Sequence, residues 1–203
     1  MSSSGEPHAA RALDQRAFDE WPPALRALFD GTTLVAKIGF TASLITRDAG
    51  GHLRTSLLGI GELYAPDARS LAFALWPTSR AARTLKGGQE QAVHAPALDN
   101  EHRRIRAALT FVHDGAFYQV QLAVEPMSEG GEAARSGLAL FVASIDAGEA
   151  QEVGYARLTS GIAFDLSGQA GEQQAVLDRW QRQVDELRQV ANRRQAAAPP
   201  ARD

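Results

Sequence analysis

Apolar and polar side chains begin to alternate regularly along Thr33–Arg47, where Ile38, Phe40, Ala42 and Leu44 interleave with Lys37, Gly39, Thr41 and Ser43. A period of two buries one set and predicts a strand. Asp48-Ala49-Gly50-Gly51 turns the chain, and Arg54–Tyr64 returns as a second strand. Gly59 and Gly61 interrupt it and mark a bulge or a close approach by a ligand. Beyond the Ala65-Pro66-Asp67 turn, Ser70–Trp76 makes a third strand with Leu71, Phe73 and Leu75 on one side. Leu109–His113 and Phe117–Glu125 flank Asp114-Gly115, a pair that tolerates the positive φ of a tight hairpin. Gly137–Ile145 and Tyr155–Leu166 read as two further strands.

Helical spacing occurs in three places. Pro22–Asp30 is a short helix: its prolines suit a first turn, Leu25, Leu28 and Phe29 share a face, and Gly31 ends it behind the anchor Trp21. Pro77-Thr78-Ser79 stops the third strand and opens a helix over Arg80–Lys86, closed by Gly87-Gly88. In Glu172–Ala196, Val176, Leu177, Trp180, Val184, Leu187 and Val190 recur along one face. Many antiparallel strands with few helices predict a mainly β (α+β) barrel or sandwich. The expected organisation is one domain over residues 21–196 that includes the helix 172–196, with a flexible tail 1–20 and a frayed end 197–203.

Composition narrows the chemistry. The 203 residues contain no cysteine, which removes disulfides, thiolate metal sites and cysteine nucleophiles. A formal net charge of −3 gives no general attraction to nucleic acid or anionic membranes. Arg103, Arg104 and Arg106 form only a small basic cluster. No apolar run reaches the length of a membrane span, and Met1–Arg11 lacks the apolar centre of a secretory signal, so a cytoplasmic protein is expected. His94, His102 and His113, with Asp99 and Asp114, lack short ligand spacing, and no metal is expected. Tyr118 alternates with Val120, Leu122 and Val124 and belongs to the core. There is no nucleophile elbow, P-loop or dinucleotide glycine fingerprint, and no residue is singled out as catalytic.

Arg54–Leu85 is the most informative stretch. Trp76-Pro77-Thr78-Ser79-Arg80 is a strand end feeding a helix start, where free N–H groups favour an anion. Thr78 or Ser79 caps that helix or donates a hydroxyl to the anion. Arg80 and Arg83 share a face while Ala81, Ala82 and Leu85 pack inward, and two guanidinium forks beside a helix start match a phosphate monoester. The alternative is a capped helix with solvated arginines.

The order of these motifs resembles the flavin-binding split-barrel family related to pyridoxamine 5′-phosphate oxidase. The motifs are an alternating strand, Arg54-Thr55-Ser56-Leu57-Leu58, a strand, Trp76-Pro77-Thr78-Ser79-Arg80, a small helix and a hairpin, and the likeness spans roughly Leu34 to Val124. It implies an antiparallel split β-barrel with flanking helices that binds flavin mononucleotide (FMN). Arg54, Thr55, Ser56 and Leu57 would then line the isoalloxazine, and Trp76, Thr78, Ser79, Arg80 and Arg83 would surround the phosphate. It also implies a homodimer with the flavin site at its interface, and redox chemistry on a small-molecule substrate or electron donor. A non-catalytic flavin storage or sensing module, and the same fold with a deazaflavin or haem, are the alternatives. The family's oxidases carry a lysine soon after the Arg-x-x-Leu-Leu run and an Arg-Leu-x-Pro motif near the carboxyl end. Here Gly59 and Ala198–Asp203 stand in those places, which argues against that oxidase reaction.

Overall fold

In the computed structural model, residues 13–93, 105–127 and 135–197 are described. Their elements run β1 (Leu13–Phe18), α1 (Pro23–Leu28), β2 (Thr41–Arg47), β3 (Leu53–Gly59), β4 (Leu63–Tyr64), β5 (Ser70–Leu75) and α2 (Arg80–Val93). Then follow β6 (Ile105–His113), β7 (Ala116–Pro126), β8 (Ala139–Val153) and α3 (Ala170–Ala197). The strands form one antiparallel sheet in the order β3-β2-β6-β7-β8-β5-β4, with β1 also on β8. This is an α+β split-barrel arrangement, a curled antiparallel sheet with flanking helices.

Local chemistry sets the central hairpin. Asp114 (φ 50°) and Gly115 (φ 84°) take the left-handed conformation that a two-residue turn needs, and β6 and β7 pair from His113↔Ala116 to Ile105↔Val124. The partner strand β8 carries a bulge. Gln121 faces Ala147 while Leu122 faces Ile145, so Asp146 is the extra residue, and it ion-pairs with Arg106. A bulge bends its strand. Here it lies where β8 changes partner: Ala139–Ser144 pair with β5, and Gly148–Val153 pair with β1.

The inner face of the sheet holds the core. Ala42, Leu44, Leu58, Leu109, Phe111, Val120 and Leu122 are buried there with Leu25 and Phe29 of the α1 region and Ala81, Ala82 and Leu85 of α2. Leu71 to Leu75 of β5 are all buried, because α3 packs against this strand as well. Trp180, Val184, Leu187 and Ala191 are the buried stripe of α3. Trp180 lies so close to Gly61 that any Cβ there would overlap its indole.

Several expectations change in three dimensions. Within the expected tail 1–20, Leu13–Phe18 is strand β1. Its side chains are exposed except for the half-buried Phe18, so no apolar alternation betrays it. Ladder pairing with β8, the Arg16–Glu152 ion pair and the packing of Phe18 over Gly148 hold it in place. The strand expected over Thr33–Arg47 starts only at Thr41. Leu34–Lys37 is a 3-10 turn, and Lys37 reaches back to the Ala27 carbonyl and Asp30, both at 2.8 Å. Arg54–Tyr64 breaks at a second 3-10 turn, Ile60–Glu62, in which the Gly59 N–H donates to the Glu62 carboxylate at 2.7 Å.

Gly61 therefore serves helix packing rather than a ligand. Helix α2 does not stop at Gly87-Gly88 but continues to Val93, since a right-handed glycine weakens a helix without ending it. Tyr155–Leu166 has no partner strand. It is an irregular, mostly exposed strap whose Gly161 lies on Val112 and whose Phe164 packs edge-on against Trp180. The strand expected over Gly137–Ile145 is instead the longer β8. His94, Asp99, His102, Arg103, Arg104 and the ends 1–12 and 198–203 lie outside the described residues.

Candidate functional site

Ser79 is the cap of α2: its Oγ accepts from the Ala82 N–H at 3.1 Å, and its carbonyl accepts from the Arg83 N–H. At this first turn Arg80 is exposed, while Ala81 and Ala82 are buried. Arg83 does not trail outward. Its guanidinium folds back to donate to the Thr78 carbonyl at 2.6 Å, which brings its charge to the helix start beside Arg80. The Arg80 guanidinium has no ion-pair or hydrogen-bond partner among the described residues.

Arg80, Arg83, Thr84 and Gly87 fall on one side of α2, at the i, i+3, i+4, i+7 spacing, and form one wall of an open groove of about 860 Å³. The other wall is the β2–β3 turn, Arg47 to Gly51, with Ile105 at the floor. Asp48 is the acidic residue of this lining, and it is already engaged. Arg54 Nε donates to Oδ2 at 2.9 Å and the His52 N–H donates to Oδ1 at 2.9 Å. The Arg54 guanidinium, and after it the His52 N–H, hold the Asp48 carboxyl down to about 2. The groove thus presents three guanidinium groups and one carboxylate that a fourth guanidinium neutralises.

The residues expected to line a flavin ring divide. Register places Arg54 opposite Thr46 and Ser56 opposite Leu44, on the inner face, while Thr55 opposite Ile45 and Leu57 opposite Ser43 lie on the outer face. A strand's period of two allows nothing else. What these four residues share is the edge: β3 ends the sheet, so its backbone N–H and C=O groups on one side have no strand partner. Leu57 is 54% and Trp76 59% exposed, two large apolar side chains at the surface. Trp76 has left β5 and begins the turn, its carbonyl accepting from the Ser79 N–H at 2.9 Å.

Arg47 lines this groove with Arg80 and Arg83 and is absent from the residues expected at the site from the sequence. A signal was present. A hairpin closed by Gly50-Gly51 sets Thr46 opposite Arg54, so Arg47 and Arg54 must share its tip. Among the described residues no three histidine, aspartate or glutamate side chains gather as metal ligands, and no helix is long and apolar enough to cross a membrane.

No protein-family model matches the chain, and no curated protein matches it by sequence. Solved structures do. One, from Lactobacillus delbrueckii, was solved as a candidate pyridoxamine 5′-phosphate oxidase. It is 14% identical with a TM-score of 0.45, over 64% of this chain and 94% of that one. An F420 reductase is 13% identical, with a TM-score of 0.39, over 63% and 98%. An FMN-binding protein from Syntrophomonas wolfei is 10% identical, with a TM-score of 0.36, over 70% and 90%. The neighbours are thus oxidase-like and FMN-binding split-barrel proteins at low identity. They are likenesses of chain path, and function is argued from the residues.

Proposed function

We propose that this protein binds FMN and uses it in oxidoreductase chemistry on a small molecule. The observation that carries the reading is the convergence of Arg80, Arg83 and the first turn of α2 in one groove with the β2–β3 turn, whose Asp48 holds Arg54 at the foot of the edge strand. A phosphate ester at the helix start meets two guanidinium groups and the free N–H groups there. The ring would be held by the β3 edge, whose unpaired backbone groups can donate and accept hydrogen bonds, with Thr55, Leu57 and Trp76 supplying side-chain surface. Bound FMN would supply the electron-transfer chemistry; the chain's residues bind it, orient it and exclude water. Asp48 is ionised at neutral pH and offers no proton, so this groove supplies no general acid from its lining.

The flavin site is completed by a second copy of the chain in this reading. The outer face carries the row Thr55–Ile45–Ala108–Gln121–Ala147, which has no charged side chain, beside the row Leu57–Ser43–Thr110–Gln119–Glu149, in which the one charge is Glu149 on β8. They adjoin the β3 edge, so a partner seated there also faces the ring.

The decisive experiment is calorimetric titration of FMN and riboflavin into the parent and Arg80→Ala. FMN should bind the parent at least about tenfold more tightly than riboflavin, since one charge-assisted hydrogen bond is worth about 1.5–3 kcal/mol. Arg80→Ala should erase most of that difference. Equal affinity of the parent for both flavins would overturn the phosphate assignment. Oxidation of reduced nicotinamide by the flavin-loaded protein then separates an enzyme from a flavin carrier.

A further inference from the structure

Arg47 is the guanidinium of the groove that a flavin phosphate leaves unmatched. It is exposed, and its described contact is a long one, from Nε to the Gly51 carbonyl at 3.4 Å. Its neighbour Asp48 is no substitute partner, because Arg54 and the His52 N–H already occupy that carboxylate. Among the described residues, the three guanidinium groups of this concave surface have one carboxylate beside them, Asp48, which Arg54 already engages, on a chain whose formal net charge is −3. Such an arrangement is self-repelling until anions fill it. A phosphate monoester brings fewer than two full charges at neutral pH, and the groove, at about 860 Å³, exceeds what one phosphate occupies.

We infer that the groove binds a second anionic group, phosphate or carboxylate, with Arg47 as its donor, beside the phosphate held by Arg80 and Arg83. The inference rests on the phosphate placement proposed above and deepens it. The second anion belongs either to a cofactor extended beyond a monoester or to an anionic substrate bound next to the cofactor. Either way, Arg47 selects for a ligand set with more than one anionic group.

The test titrates tripolyphosphate and inorganic phosphate into the full chain, its Arg47→Ala variant and its Arg80→Ala variant, without flavin. The parent should bind tripolyphosphate at least about tenfold more tightly than phosphate, the yield of one added charge-assisted contact. Arg47→Ala should remove most of that advantage while leaving phosphate affinity within about twofold, whereas Arg80→Ala should weaken both ligands. An unchanged ratio in Arg47→Ala, or no preference in the parent, overturns the inference. Its failure is separable from failure of the flavin reading. Tripolyphosphate selectivity without flavin binding leaves the Arg47 assignment standing, and flavin binding with an Arg47-independent ratio removes that assignment alone. Two further titrations locate the second anion. An Arg47-dependent gain of flavin adenine dinucleotide over FMN places it on the cofactor, and Arg47-dependent phosphate binding to the FMN-loaded protein places it on a separate ligand.

Discussion

Arg83 illustrates how one side-chain torsion redistributes a site. Its backbone lies one turn beyond the cap, and its bond to the Thr78 carbonyl brings its charge back to the helix start. Arg83→Ala should therefore weaken FMN binding by about as much as Arg80→Ala, roughly tenfold for one charge-assisted contact, while riboflavin affinity holds. Titration of both flavins into both variants checks this, and a much smaller loss in Arg83→Ala than in Arg80→Ala would count against it. Asp48 gives a pH signature. Its carboxyl is depressed in the folded chain from the ordinary value of 3.8 to about 2, so the stabilisation is present above pH 4 and is lost as pH falls toward 2. Asp48→Asn should melt below the parent at pH 6, and the gap should close as the melts are taken down through that window. A gap that persists unchanged at the acid end would assign it to something other than the carboxylate.

At the scale of elements, the contact between the Ile60–Glu62 turn and α3 is the tightest constraint on the flank of the sheet. Gly61→Ala places a methyl group where the Trp180 indole lies. Overpacking of this kind costs about 1–3 kcal/mol, and here Trp180 is held from its other side by Phe164. Urea denaturation should show a lower midpoint at unchanged slope. Trp180→Leu in the Gly61→Ala background should recover part of the loss, where two independent sites would add. Because the groove is built from α2 and the β2–β3 turn, FMN affinity should not move with this pair.

At the scale of the whole molecule, charge is unevenly placed. An acidic chain gathers guanidinium groups in one groove and leaves two rows of its outer sheet face, from Thr55 to Gln121 and from Leu57 to Gln119, uncharged between β3 and β7. In a two-fold dimer through that face every contact occurs twice, residue i of one copy on residue j of the other and the reverse, so one introduced charge is felt twice. The parent should sediment as a dimer at micromolar concentration, and Gln121→Glu should shift it toward monomer without lowering the melting temperature of the dilute chain. A parent that sediments as a monomer throughout would remove the second copy from the proposed site.

Features that depend on a few neighbouring residues were legible in the sequence. The Asp114-Gly115 turn follows from φ preference, the buried stripe of α3 from a period near 3.6, and the shared face of Arg80 and Arg83 from the same period. What the sequence concealed depends on partners far along the chain. Leu13–Phe18 carries no apolar alternation and becomes a strand only because β8 bends at Asp146 and frees an edge for it. Tyr155–Leu166 looks like a strand and is none: it packs instead through Gly161 on Val112 and Phe164 on Trp180. Gly61 is explained by an indole more than a hundred residues away. Arg47 joins Arg80 and Arg83 because α2 packs over β2. Dihedral preference and periodicity are local and survive in a linear reading; burial, edge pairing and the gathering of like charges exist only once distant segments share a surface.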